Sequence, residues 1–382
     1  MDTFHRPELA REYAESLLGM RRFGATSGLF LANRRRTGKT TFLLADLIPA
    51  LEHLGATVVY VDLWADQQNP PGALIAKAII KAIRENEGVG AKTVRAGLRK
   101  ITVLGVSVEV ASSQLPDESS LADLLGELHR LTARKVVLII DEAQQATVPH
   151  SGGMEAMAAL KSARDQLNLG GRYTLALVMT GSDRDKLCRL VNTNQAPFVG
   201  SDIDVMPTLD RAYTDWVAGL IEEDRPDIRV DREVLETAFM LLGQRPQLLA
   251  QIIRDLTGLG RPPSTDFNRV LAERASQQRS LREGTYTSIF AGLKAAHQAV
   301  LSRILAGRGQ GMFTSDAKEE YRQIAGKLLT DNQIQNALDK MRSGDAPMIW
   351  KSDRGDYALQ DTLMRDWYLL KVARGEWPPA AP

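Results

Sequence analysis

The chain has 382 residues, 44% of them hydrophobic and 25% charged, the composition of an ordinary globular protein of two or three domains. A formal net charge of +1 gives no global field toward nucleic acid or membrane. The single cysteine, Cys188, excludes an intrachain disulfide, and no apolar run approaches the roughly 20 residues of a membrane span.

Met1 to Glu8 lacks the basic-then-apolar pattern of a signal peptide, so a reducing, cytoplasmic setting is expected. Residues 7 to 19 have the spacing of an amphipathic helix. Gly28 to Ala32 reads as a short buried strand, and the stretch from Thr41 onward reads as a helix. Between them lie Asn33, Arg34, Arg35, Arg36, Thr37, Gly38, Lys39 and Thr40. This is the phosphate-loop pattern G-x-x-x-x-G-K-[ST] with Asn33 in place of the first glycine. Asn is the non-glycine residue that best tolerates the backbone angles such a position requires. A strand, a tight loop and a helix N-terminus make an anion site, because main-chain N–H groups and the helix dipole face the phosphates together. Asn33 to Thr41 are therefore the expected nucleotide-binding residues. Lys39 is expected at the β- and γ-phosphates, and the Thr40 hydroxyl on Mg²⁺.

Ala56 to Val61 reads as a second strand, ending in Asp62 near the expected site. Pro71 to Ile83 has helical spacing. Lys92, Arg95, Arg99 and Lys100 form a basic cluster, which suits either a DNA or subunit contact or a solvated helix face. Ile101 to Val110 alternates like a strand or hairpin near the sheet edge, and Leu121 to Leu131 is helical. Val136 to Ile140 is an unbroken apolar run, as in a central parallel strand covered on both faces. It ends in Asp141, Glu142, Ala143 and Gln144. Paired carboxylates at the end of a buried strand are costly without a partner. Asp141 is expected in the Mg²⁺ shell and Glu142 as the group that polarises the attacking water. A third strand, Thr174 to Met179, leads to Thr180, Gly181 and Ser182. Thr180, with Ser182 in reserve, is placed to sense the γ-phosphate, although both also fit a plain turn. The alternation of strand and helix over residues 23 to 206 predicts an α/β parallel sheet with helices on both faces.

Beyond Pro207 the pattern is helical: Asp210 to Glu222, Asp231 to Leu242 and Pro246 to Leu256, a small lid. Arg245 stands at the start of the third of these helices, either reaching back to the phosphates or exposed in a turn. Arg261 to Ser264 reads as a loop. From about residue 286, Leu293 to Leu305 is helical, and Asp316-x-x-Glu319 and Thr330-x-x-Gln333 both look like capping-box helix starts. Met348 to Lys351 and Tyr357 to Leu359 flank a turn at Asp353, Arg354 and Gly355. Three helices and a hairpin are the order of a winged helix-turn-helix. Gln335, Asn336, Lys340 and Arg342 on its third helix suit base edges or a solvated face. Thr330 to Glu376 carries seven basic against eight acidic residues, so there is no positive surplus for phosphates. The expected division is a P-loop core (1–206), a helical lid (207–285), a winged-helix domain (286–376) and a loose tail (377–382).

Taken together, these motifs make the chain resemble the archaeal-type ATPase group of P-loop proteins, in the STAND and AAA+ neighbourhood. The residues that carry the resemblance are Arg35 and Arg36 before the Gly38-Lys39-Thr40 triplet, Asp141 to Gln144, Thr180 to Ser182, Ala196 to Gly200, and Asp361 with Met364, Arg365 and the aromatics up to Tyr368. The resemblance implies ATP rather than GTP, in line with the lack of an N-K-x-D guanine motif. It also implies a homo-oligomer and a DNA or protein partner for the winged helix. Where the group commonly carries an arginine finger, this chain has Ser201; Arg184, Arg189 and Arg211 are the candidate substitutes. The functions to be weighed are a Mg²⁺-dependent ATPase switch, with nucleotide between core and lid, and a nucleotide-gated DNA-binding or scaffold protein with little hydrolysis. A small-molecule kinase fits less well, because the paired acids favour water activation.

Overall fold

The computed structural model describes residues 2–22, 24–25, 28–32, 37–86, 99–103, 106–110, 118–181, 187–191, 196–258, 266–343, 347–351, 356–361 and 363–379. The chain divides into two compact units, the first ending at Met206 and the second running from Pro207 to the C-terminus, with Thr37 grouped with the second.

The first unit is built on strands β1 (Leu29–Ala32), β2 (Thr57–Asp62), β3 (Arg99–Val103), β4 (Val106–Val110), β5 (Val136–Asp141), β6 (Leu175–Gly181) and β7 (Ile203–Val205). Five of them form one sheet in the order β2-β5-β6-β1-β7, with every pairing parallel. β3 and β4 make a separate antiparallel hairpin, as the alternation over Ile101 to Val110 suggested. β5 is buried along its whole length because helices cover both faces of the sheet. Val136, Leu138 and Ile140 pack into a core shared with helices Pro71–Asn86, Leu121–Thr132 and Gly153–Leu167. Val137 and Ile139 point the other way, toward helix Pro7–Leu17 and the helix that follows the phosphate loop. Alternate side chains of a strand face opposite sides, so an unbroken apolar run is what two covered faces demand.

The helix after the loop starts at Lys39, two residues earlier than its apolar spacing suggests. Gly38, at φ 87°, turns the chain into it. It runs as α-helix over Lys39–Phe42, widens to π-helix over Leu43–Leu47 and resumes as α-helix over Ile48–His53. Pro49 supplies the reason. It has no N–H for the carbonyl four residues back and its ring crowds that carbonyl, so the preceding turn opens.

The second unit contains helices Arg211–Asp224, Arg232–Leu241, Pro246–Thr257, Phe267–Ala291, Ala295–Leu305, Ser315–Ala325, Asp331–Arg342 and Leu363–Ala373, with a hairpin of β8 (Ile349–Lys351) and β9 (Tyr357–Leu359). The helix, helix, helix, hairpin order read from the sequence is the observed one. Thr330 and Gln333 form the reciprocal capping box. The box expected at Asp316 and Glu319 does not form. Helix Ser315–Ala325 begins one residue before Asp316, because the Thr314 hydroxyl takes the Ala317 N–H. The division drawn at residues 285 and 286 falls inside helix Phe267–Ala291. Trp377, expected in a loose tail, instead packs among Phe290, Trp367 and Tyr368, with ring centroids 4.7, 5.5 and 4.6 Å away. A large aromatic ring this close to others is anchored by buried apolar area, which composition alone (Pro and Ala beside it) conceals.

Candidate functional site

Parallel strands bring their C-terminal ends to one edge of the sheet, and the chemistry of the first unit collects there. In register, Thr180 of β6 lies opposite Leu31 of β1, and Asp62 of β2 lies opposite Asp141 of β5. Because β6 runs between β1 and β5, its tip separates the strand that enters the phosphate loop from the strand that ends in acids. Asn33, Arg34, Arg35 and Arg36 lie outside the described residues, as do Ser182, Arg184, Lys92, Arg95, Arg354 and the loop from Arg261 to Ser264. Of the remaining loop residues, Thr37 is buried, Gly38 takes the left-handed backbone that glycine allows, and Thr41 is exposed. Lys39, Thr40 and Thr41 form the first helical turn, whose N–H groups have no partners within the helix.

Lys39 is buried, and its Nζ lies 2.9 Å from Glu142 Oε1 and 3.3 Å from Asp141 Oδ1. Asp141 is 1% exposed and gathers donors around both oxygens. The Thr40 hydroxyl donates to Oδ2 at 2.7 Å, Tyr60 donates to the same oxygen at 3.3 Å, and the Glu142 N–H donates to Oδ1 at 2.9 Å. The Thr180 hydroxyl donates to Oδ1 at close range. Burial pushes the Asp141 carboxyl up, but the Lys39 ammonium and the Thr180 and Thr40 hydroxyls outweigh it and hold the group below the ordinary carboxylate range. Asp62 goes the other way: burial raises it and the charges of Asp141 and Glu142 add to the effect, against the Trp64 N–H that donates to it at 2.8 Å. Burial, then the Asp141 charge, also pushes the Tyr60 phenol upward.

Glu142 has left-handed backbone angles, φ 52° and ψ 41°, which turn its side chain out of the strand direction. A 3-10 turn over Ala143–Thr147 follows and brings Gln144, 2% exposed, back so that its side-chain N–H donates to Glu142 Oε2. Sequence reasoning missed Tyr60 and the contact made by Gln144. Tyr60 was findable, since it is two residues before Asp62 and alternation puts both on one side of β2.

The donor set around Thr40 and Asp141 is hydroxyl and carboxylate oxygen, hard ligands that suit Mg²⁺ completed by water and phosphate. Among the described residues no group of three or more His, Cys, Asp and Glu is arranged to hold a metal by itself. Arg245 belongs to the second unit, at the N-terminal end of helix Pro246–Thr257, where its guanidinium lies 3.6 Å from Asp361 Oδ2. The same carboxylate oxygen accepts from the Tyr286 hydroxyl at 2.6 Å. No helix among the described residues is long and apolar enough to cross a membrane.

No protein-family model matches the chain, and no curated protein matches it. Solved structures do share its fold. The Walker-type ATPase PABY2304 of Pyrococcus abyssi is similar at 17% identity and a TM-score of 0.51, with 96% of each chain covered. The ORC2 protein of Aeropyrum pernix, in an ADP form, is similar at 16% identity and a TM-score of 0.53, with 98% of this chain and 97% of that chain covered. The parallel sheet with helices on both faces, followed by a helical region, is the P-loop NTPase fold, and this chain shares it with both structures.

Proposed function

We propose that this protein binds ATP with Mg²⁺ and hydrolyses it, and that the state of the nucleotide switches a C-terminal winged helix. The observation that carries the reading is the meeting of Lys39, Thr40, Asp141, Glu142 and Thr180 at the edge where β1, β5 and β6 end. A triphosphate competes with two carboxylates for the Lys39 ammonium, and the N–H groups of the first helical turn add to its side of the balance. Thr40 and Asp141 hold Mg²⁺, whose chemistry is to neutralise charge on the phosphate oxygens. Glu142 takes the proton of the attacking water, and Thr180 positions the γ-phosphate end. Asn33 to Arg36 complete the cradle and Arg245 is a candidate second cation for the phosphates. The proposed division is a core over 1–206, a lid over 207–285 and a winged helix over 286–376, acting in the cytoplasm as a homo-oligomer on DNA or a protein partner. The ADP in the ORC2 neighbour supports an adenine nucleotide.

Calorimetric titration tests the reading. Wild type should take up ATP with Mg²⁺, Lys39→Ala should not, and Glu142→Gln should bind ATP but release phosphate slowly. Normal turnover by both variants would refute the assignment.

A second reading, a nucleotide-gated DNA-binding or scaffold protein with little hydrolysis, is favoured by Ser201 in the arginine-finger position and by the pairing of Arg245 with Asp361. Phosphate release measured with and without duplex DNA separates the two.

A further inference from the structure

Glu142 has two carboxylate oxygens, and different side chains donate to them. Oε1 accepts from Lys39 at 2.9 Å and Oε2 accepts from Gln144 Nε2. The amide orientation of Gln144 follows from chemistry, since an ionised carboxylate only accepts and the NH₂ end must face it. Its carbonyl end then lies against Gly181, where an added Cβ would come within 2.7 Å of Gln144 Oε1. The main chain of Gln144 is tied as well, because its carbonyl accepts from the Thr147 hydroxyl at 2.8 Å. Gln144 is thus wedged between the tip of β6 and the carboxylate of Glu142, and it is buried. A buried amide is costly to place, so packing alone would favour Leu or Met here.

We propose that Gln144 is a positioning residue for Glu142. It holds Oε2 and leaves Oε1 as the atom that takes the proton. The inference rests on the ATPase reading. When Lys39 turns to the phosphates, its ammonium leaves Oε1 while Oε2 keeps the donor from Gln144. Water then attacks the γ-phosphorus: its oxygen forms the new P–O bond, its proton goes to Oε1, and the P–O bond to the leaving group breaks with its electron pair on ADP. A glutamate held at one oxygen presents the other in a fixed direction, whereas one held at neither samples rotamers about a long side chain. Gly181 belongs to the same device, because a methyl group there would meet the Gln144 amide first, with Leu187 the next neighbour.

The test uses the full chain and four variants: Gln144→Leu, Gln144→Ala, Gly181→Ala and Glu142→Gln. ATP affinity, single-turnover rate and urea midpoint are measured for each. The expected result for Gln144→Leu and Gly181→Ala is a rate lowered by about 100-fold, the order of loss that a misplacement near 1 Å produces. Their ATP affinity should stay within about threefold of wild type, far inside that loss. A residue that merely supports folding would move midpoint and affinity together with the rate. Wild-type rates in Gln144→Leu and Gln144→Ala, with Glu142→Gln inactive, would overturn the inference while leaving the ATPase reading standing. Unchanged turnover in Glu142→Gln would overturn both.

Discussion

Lys39 and Glu142 stand 103 positions apart in the chain, and their charged groups meet at 2.9 Å. With Asp141 at 3.3 Å, the ammonium sits against two carboxylates in a mostly buried setting. An ion pair of this kind contributes little net stability, because desolvation cancels much of the attraction. On the proposed reading, its worth lies in leaving the cation available to a stronger anion.

Lys39→Met should therefore do two things. It should abolish ATP uptake in a calorimetric titration, and it should lower folding stability by about 3 kcal/mol at neutral pH, because two acids lose their shared cation. Urea unfolding of the variant without nucleotide measures the second effect, and a midpoint equal to wild type would contradict the packing described here.

Asp141 should make stability depend on acid pH. Its carboxyl is held below the ordinary 3.8 in the folded chain, where burial is outweighed by Lys39, Thr180 and Thr40. A depressed carboxylate contributes stability that is full above the unfolded value and lost as pH falls through the lower folded value. Urea midpoints taken from pH 6 downward should fall less steeply in Asp141→Asn than in wild type over that acid limb.

Lys135, at the opposite end of β5, should give a basic counterpart. Burial pushes its ammonium down from 10.5 to about 8, while the Tyr173 ring, 5.1 Å from Nζ, favours the cation and opposes burial. Between those two values the unfolded chain binds more protons, so stability should rise as pH climbs from about 8 to 10.5. Half-exposure screens the effect to about 1 kcal/mol. Lys135→Met should remove the rise, which denaturant titrations at pH 7.5 and 10 would show.

Two glycines of the second unit should respond in opposite directions. A Cβ at Gly309 would collide with the Tyr357 carbonyl, and the two residues are joined by the Tyr357 N–H donating to Gly309 O at 2.9 Å. Gly309→Ala should cost about 2 kcal/mol or more, since main chain cannot step aside cheaply. Gly284, inside helix Phe267–Ala291, has nothing within 4 Å of its added Cβ, so Gly284→Ala should gain up to about 1 kcal/mol. Urea midpoints of the two variants decide.

Much of the first unit was legible because its signals are local. The run from Val136 to Ile140 could only be a strand covered twice, and the Gly38-Lys39-Thr40 triplet after a strand marked a helix N-terminus. That Lys39, Thr40, Asp141, Glu142 and Thr180 meet follows from strand ends sharing one edge. The π-helical widening before Pro49 was not legible, because apolar spacing barely changes when one turn gains a residue. Tyr60 was overlooked because its partner, Asp141, lies on the neighbouring strand, and the contact of Gln144 because a 3-10 turn, which apolar spacing does not announce, brings its amide back to Glu142. Trp377 was misjudged because its anchoring comes from Phe290 and Trp367, which no window around the C-terminus contains.

The left-handed backbone of Glu142 carries an evolutionary consequence. At φ 52° a glycine would sit more comfortably than glutamate, by about 1 kcal/mol or somewhat more. In a mutant library screened for abundance alone, position 142 should drift toward glycine or asparagine. Under selection for ATP turnover it should return to glutamate, so this one codon would report which of the two pressures a lineage has felt.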